Sequence, residues 1–200
     1  SAVDLADMSL TDDTLVPRRW VFPSGSFISA LGHLKVRLDG GSPASTTNTG
    51  FSLKASGGGV YLYNRLADGG TPASVITYGL QAADFSIGRV PDGGTNWVLT
   101  LPTFGSANLI ASLGNPLQLK VNEWMASPSS GDDWIEIYNP NAQPVELTGL
   151  WLSDTLANPK KYQIPLRSFV GSGPEGFLRF WAANGADADF TGFSLNATAE

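Results

Sequence analysis

Wherever this chain shows regular patterning, apolar and polar residues alternate with a period of two. The clearest runs are LQLKVNEWMASP (117–128) and DWIEIYNP (133–140), and both end at proline, as half-buried strands do. Residues 33–38, VYLYN at 60–64 and SVITYG at 74–79 read as further strands. Residues 85–90 and 96–101 flank PDGG at 91–94. There Pro91 sets its own φ, and the glycines supply the positive φ that closes a hairpin with a bulge. Strands are predicted again near 149–153, 161–164 and 176–182. No window of 11 or more residues sustains a helical period. Short strands between frequent turn signals predict an all-β fold, an immunoglobulin-like β-sandwich.

The same pattern returns along the chain with an offset of 142, from Asp4 to Glu146 onward. DLADMSLTDDTLVPRRWVFP (4–23) aligns without a gap to ELTGLWLSDTLANPKKYQIP (146–165), with five identities and like-for-like exchanges such as Arg18/Lys160, Arg19/Lys161 and Trp20/Tyr162. After a two-residue insertion, TGFSL at 49–53 recurs at 191–195. Such periodicity predicts two staggered partial repeats. Residues 1–108 form a first repeat lacking its opening strands, 109–116 a linker broken by Gly114 and Pro116, and 117–200 a second repeat lacking its closing strands. On this reading the chain is a piece of a longer tandem array. Incomplete sandwiches expose edges and half a core, so strands are expected to be shared within the chain, or between molecules as a strand-exchanged homo-oligomer.

Composition narrows the class. At 42% apolar and 15% charged residues the chain is globular, with no apolar run of membrane-spanning length. Absence of cysteine removes disulfides, thiol catalysis and cysteine metal sites. The net charge is −6 and falls unevenly: residues 1–108 carry 7 basic and 8 acidic groups, residues 109–200 carry 5 and 10. An acidic surface disfavours a nucleic-acid partner.

Several motifs occur together: VNEWMASP, GDDWIEIYNP, the LTGLWLSD step, the GRVPDG hairpin and the PTFGSAN ending. In this combination the chain resembles the bacterial lamin-tail domain (LTD) family over nearly its whole length. Ala6-Asp7 departs from the pattern that Thr148-Gly149 keeps. The resemblance implies an immunoglobulin-like sandwich serving attachment or recognition in secreted or cell-surface proteins. It implies no catalytic residue and no cofactor.

Candidate chemistry is sparse. His33, the single histidine, alternates outward with Lys35 and Arg37, and a solvated strand histidine is the favoured reading. Asp132 and Asp133 precede a strand; capping a turn is favoured over a weak calcium site, since the spacing of an oxygen-rich loop is missing. Glu123 shares parity with Leu119, Val121 and Met125, so it is expected to point inward as a structural buried acid. A catalytic pair would need Glu136 to converge on it. Trp134, Glu136 and Tyr138 share one strand face, either packed or offered as a ligand platform. His33, Lys35 and Arg37 become Phe177, Arg179 and Trp181 in the second repeat, and exposed Phe and Trp mark a contact surface.

The expected function is a non-catalytic recognition or tethering module of a larger secreted or surface protein, with a protein or cell-surface partner. The alternative is a carbohydrate- or nucleic-acid-binding accessory domain of a secreted hydrolase or nuclease. Glycan binding requires accessible coplanar rings at Trp134 and Tyr138. Nucleic-acid binding requires Arg18, Arg19, Lys35 and Arg37 to unite.

Overall fold

A computed structural model describes residues 1–196. The fold is all-β, as the alternation predicted, with no α-helix among the described residues and three single-turn 3-10 segments at Leu66–Asp68, Pro116–Gln118 and Gly173–Glu175. In chain order the strands are Val3–Asp4 (β1), Ser9–Thr11 (β2), Trp20–Val21 (β3), Phe27–Ile28 (β4), Gly58–Tyr63 (β5), Pro72–Tyr78 (β6), Ser86–Arg89 (β7) and Trp97–Leu101 (β8). They continue with Leu109–Ile110 (β9), Lys120–Met125 (β10), Trp134–Tyr138 (β11), Val145–Glu146 (β12), Trp151–Leu152 (β13), Tyr162–Gln163 (β14), Phe169–Val170 (β15) and Phe177–Trp181 (β16). Every ladder between them is antiparallel, in sheets ordered β3-β2-β5-β6, β7-β8-β9 and β10-β11-β16, with the two-stranded pairs β1-β4, β12-β15 and β13-β14. This arrangement is consistent with an immunoglobulin-like sandwich of the lamin-tail type.

Two stretches 142 residues apart adopt one local structure. Ser9↔Val21 and Leu10↔Trp20 have their counterparts in Trp151↔Gln163 and Leu152↔Tyr162. Val3↔Ile28 likewise corresponds to Val145↔Val170. Leu5 N–H donates to Ser26 C=O at 2.8 Å, and Leu147 N–H to Ser168 C=O at 2.8 Å. The departure at Asp7 leaves the turn intact: Asp7 takes φ 66° where Gly149 takes 79°. Aspartate is among the few residues that tolerate this left-handed region.

Apolar side chains gather in two main cores. The first holds Leu5, Trp20, Phe22 and Phe51. The second is built from Ile135, Ile137, Val145, Leu147, Val170 and Phe180, and Leu80 enters it from the first half of the sequence. Chain order and spatial grouping part company at Gly79. Up to Tyr78 the chain pairs with the first lobe, β5 lying beside β2. From there it crosses over: Gly79 N–H donates to Leu166 C=O at 3.0 Å, and Phe169 N–H to Leu80 C=O at 2.8 Å. Gln81 clamps the crossing, its amide nitrogen donating to Gly79 C=O at 2.9 Å and to Arg167 C=O at 3.0 Å. Beyond it, Ala82, Leu99 and Ala111 pack with Phe169 in a third cluster. The segment 109–116, expected as a linker, is structured where it begins, since β9 pairs with β8 and Ala111 is buried.

One strand expected from the pattern does not form. Residues 33–38 join the fold through a single bridge, Arg37↔Asn48, and His33 to Val36 make no backbone hydrogen bond among the described residues. Alternation supplies two faces, but a strand also needs a neighbour for its N–H and C=O groups. In the second lobe the matching strand, β16, has that neighbour in β11.

Candidate interaction face

β11 is the central strand of its sheet, and strand pleating sends its residues alternately to the two sides. Ile135 and Ile137 go inward to meet Phe180, which is fully buried. Trp134, Glu136 and Tyr138 therefore project outward. Register with β16 sets them opposite Trp181, Arg179 and Phe177 respectively. All six residues singled out from the sequence for this surface thus share one sheet face.

The face has aromatic ends and a charged middle. At one end Tyr138 and Phe177 stack with centroids 4.8 Å apart and planes at 25°. At the other, Trp181 is bracketed by Phe190 at 6.4 Å and by the Arg179 guanidinium, 3.9 Å over its ring. Between them Glu136 accepts a hydrogen bond from Asn122 Nδ2 at 2.7 Å. Phe177 remains 50% exposed despite its stacking partner. The ring faces a sugar would stack on are largely taken by these internal contacts. What remains accessible is ring edge, guanidinium and carboxylate, the surface chemistry of protein contacts.

Glu123, expected as a buried acid, is exposed. β10 slips register between Val121 and Glu123, so Asn122 is the extra residue of a bulge and parity reverses beyond it. Glu123 consequently stands opposite Glu136 on the outer face, while Trp124 takes the core side opposite Ile135. The two carboxyl groups are neighbours on an open sheet face, not partners across a cleft.

Asp132 is exposed and Asp133 half-buried. The Asp133 carboxylate accepts Ser127 N–H at 2.7 Å on one oxygen and Leu195 N–H at 3.1 Å on the other, tying the β10–β11 turn to the chain's last described residues. Of the basic residues needed for a nucleic-acid patch, Arg18 is paired with Asp7, Arg19 with Asp12 and Arg37 with Asp39. Arg18 and the neighbouring amide of Leu66 hold the Asp7 carboxyl below its ordinary range, and Ser42 with Gly41 N–H does the same for Asp39. Lys160 and Lys161 lie over the rings of Trp151 and Phe193. Each cation is thus engaged locally. His33 Nε2 lies 3.2 Å from Asp92 Oδ2.

Sequence reasoning passed over Asn139, the most fully used polar side chain of the second lobe. It is 1% exposed. Its amide nitrogen donates to Gln143 C=O at 2.9 Å and Gly171 C=O at 2.7 Å, and its oxygen accepts Asn141 N–H at 2.9 Å and Asn141 Nδ2 at 2.8 Å. The signal available was the Asn-Pro that ends β11, since Asn before a turn bonds backbone groups further on. Asn48 plays the matching part in the first lobe, bonded to backbone at Asp39, Ser42 and Pro43.

Residues 114–200 match the family model described as Lamin Tail Domain. This is a non-catalytic, immunoglobulin-like family, and nothing in the match points to an enzymatic activity. No curated protein and no solved structure matches the chain.

Proposed function

We propose, from the lamin-tail match over residues 114–200 and the geometry of the outer β11–β16 face, that this chain is a non-catalytic recognition module of a secreted or cell-surface bacterial protein. Its task on this reading is to hold a larger protein against a protein partner. The observation that carries the proposal is Phe177, half exposed at the centre of a preassembled patch of rings, one guanidinium and one carboxylate. Aromatic and arginine side chains on a rigid sheet are the groups that dominate protein interfaces, because they bury large area at low conformational cost. The shared register of the two stretches 142 residues apart supports two staggered copies of one building block, as in a tandem array presenting repeated surfaces.

The test is co-sedimentation of the intact chain with surface preparations of the producing cells. Wild type is expected to sediment with them and the Phe177→Ser/Trp181→Ser variant to stay in solution, with unchanged near-ultraviolet circular dichroism outside the Trp contribution. Equal sedimentation of both proteins would remove this face from the function. Release of the wild type by soluble oligosaccharide, and not by protease treatment of the preparation, would favour the carbohydrate-binding alternative.

A further inference from the structure

Residues 33–36 hold, in the first lobe, the place that residues 177–180 hold in the second. The residue that follows fixes the equivalence. Arg37 N–H donates to Thr47 C=O at 2.9 Å and Arg37 C=O accepts Thr49 N–H at 2.9 Å; Trp181 does the same with Asp189 at 2.7 Å and Thr191 at 2.9 Å. The parallel bridges Arg37↔Asn48 and Trp181↔Phe190 agree with it. In the second lobe the edge is filled by β11, with Ile137 opposite Leu178, Glu136 opposite Arg179 and Ile135 opposite Phe180. In the first lobe the backbone groups of His33 to Val36 find no partner among the described residues, and Leu34 is 45% exposed. Alongside runs a cleft of about 800 Å³, lined by Ile28, Leu34, Ile87, Trp97 and Phe104 among others.

An unpaired edge beside an apolar cleft is a template for strand addition: main-chain hydrogen bonds supply affinity and alternate side chains supply specificity. The charges along this edge decide which strand it takes. His33 is engaged with Asp92 at 3.2 Å and Arg37 with Asp39 at 2.7 Å. Lys35 makes no ion pair among the described residues, and its ammonium stands 5.1 Å over the Phe104 ring. At the matching position of β16, Arg179 faces Glu136.

We propose that residues 33–36 and the adjoining cleft form a β-augmentation site for an extended strand of another protein, carrying apolar residues opposite Leu34 and Val36 and a carboxylate opposite Lys35. The chain contains the pattern itself, in Trp134–Tyr138 of β11. An intact second copy cannot offer that strand, because β11 is already paired on both sides, to β10 and β16. The site goes beyond the outer aromatic face and shares no residue with it.

The probe is a fluorescein-labelled peptide with the sequence of residues 132–140, DDWIEIYNP, titrated with the intact chain. Saturable anisotropy is expected, together with slowed amide exchange at residues 33–36. Lys35→Glu, an exposed substitution checked for folding by circular dichroism, weakens binding roughly fivefold or more. A peptide carrying lysine in place of Glu136 recovers affinity for the Lys35→Glu protein. Absence of saturation at millimolar peptide, or equal binding by wild type and Lys35→Glu, would overturn the proposal. So would protection of the 33–36 amides in a concentration-dependent dimer without peptide, since a second copy would then occupy the edge. The outer β11–β16 face plays no part in the titration, so failure here leaves the reading of that face standing.

Discussion

Phe27 and Phe169 stand at equivalent places in the two halves of this chain, yet Phe27 is 59% exposed and Phe169 only 2%. Each sits on a two-residue strand paired in the same register, Asp4↔Phe27 and Glu146↔Phe169. What differs is the third partner. Residues from beyond Gly79 bring Ala82, Leu99 and Ala111 onto Phe169 and bring nothing comparable onto Phe27.

Phe169→Ala should therefore cost about 3–5 kcal/mol, the range for emptying a well-packed aromatic site. Phe27→Ala should cost less than about 1 kcal/mol, as a mostly exposed substitution does. Urea denaturation of the two variants compares them directly. Equal losses would mean that the crossing segment does not close the second core.

The crossing itself depends on Gly79. A Cβ there would lie 2.0 Å from Ser168 Oγ and 3.1 Å from Pro165 Cβ. Ser168 is fully buried and its Oγ accepts the Leu80 N–H at 3.1 Å, so it has little room to yield. Gly79→Ala is expected to destabilise by about 1–3 kcal/mol. Ser168→Ala removes the clashing atom, so the double variant should lose less than the sum of the single losses. A double-mutant cycle measures that coupling.

Asn139→Ala leaves the carbonyls of Gln143 and Gly171 without their donor inside the fold. A loss of at least about 2 kcal/mol is expected, because buried unpaired groups carry their full desolvation cost. Asn139→Asp should fold better in mild acid than at neutral pH, where its charge is buried beside two carbonyl oxygens. Thermal melts at two pH values test both.

Burial first, and the nearby Asp189 carboxylate second, push the Tyr162 hydroxyl up to about 12 from its ordinary 10.0. Its O–H donates to Ala188 C=O. A raised folded value means the folded state holds this proton longer than the unfolded chain. The associated stability is complete below pH 10 and is lost as pH rises from there towards 12. Absorbance titration at the phenolate band should show one of the five tyrosines ionising last, and Tyr162→Phe should remove that late step.

Alternation made the outer β11–β16 face legible, because parity along a regular strand follows from the pleat alone. Parity also misled at Glu123, where one bulged residue, Asn122, reverses it. Bulges are set by how two strands meet, and a single strand's pattern holds no record of the meeting. The short strands β1, β4, β12 and β15 went unseen for a related reason: two residues are too few to show a period. Asn139 was hidden because its importance lies in four bonds made by folding, none visible in its neighbours.

By itself the sequence determined the all-β class, the outward set from Trp134 to Trp181, and the correspondence between two stretches 142 residues apart, as Asp4 is from Glu146. These depend on local geometry and on side-chain chemistry, which similar stretches share wherever they stand. Only the tertiary structure decided which copy of an equivalent residue is covered. It sent the chain beyond Gly79 to the second lobe, buried Phe169, and left Phe27 and the backbone of His33 to Val36 open. Burial and strand pairing are relations between distant segments, and two alike stretches diverge as soon as their neighbours do.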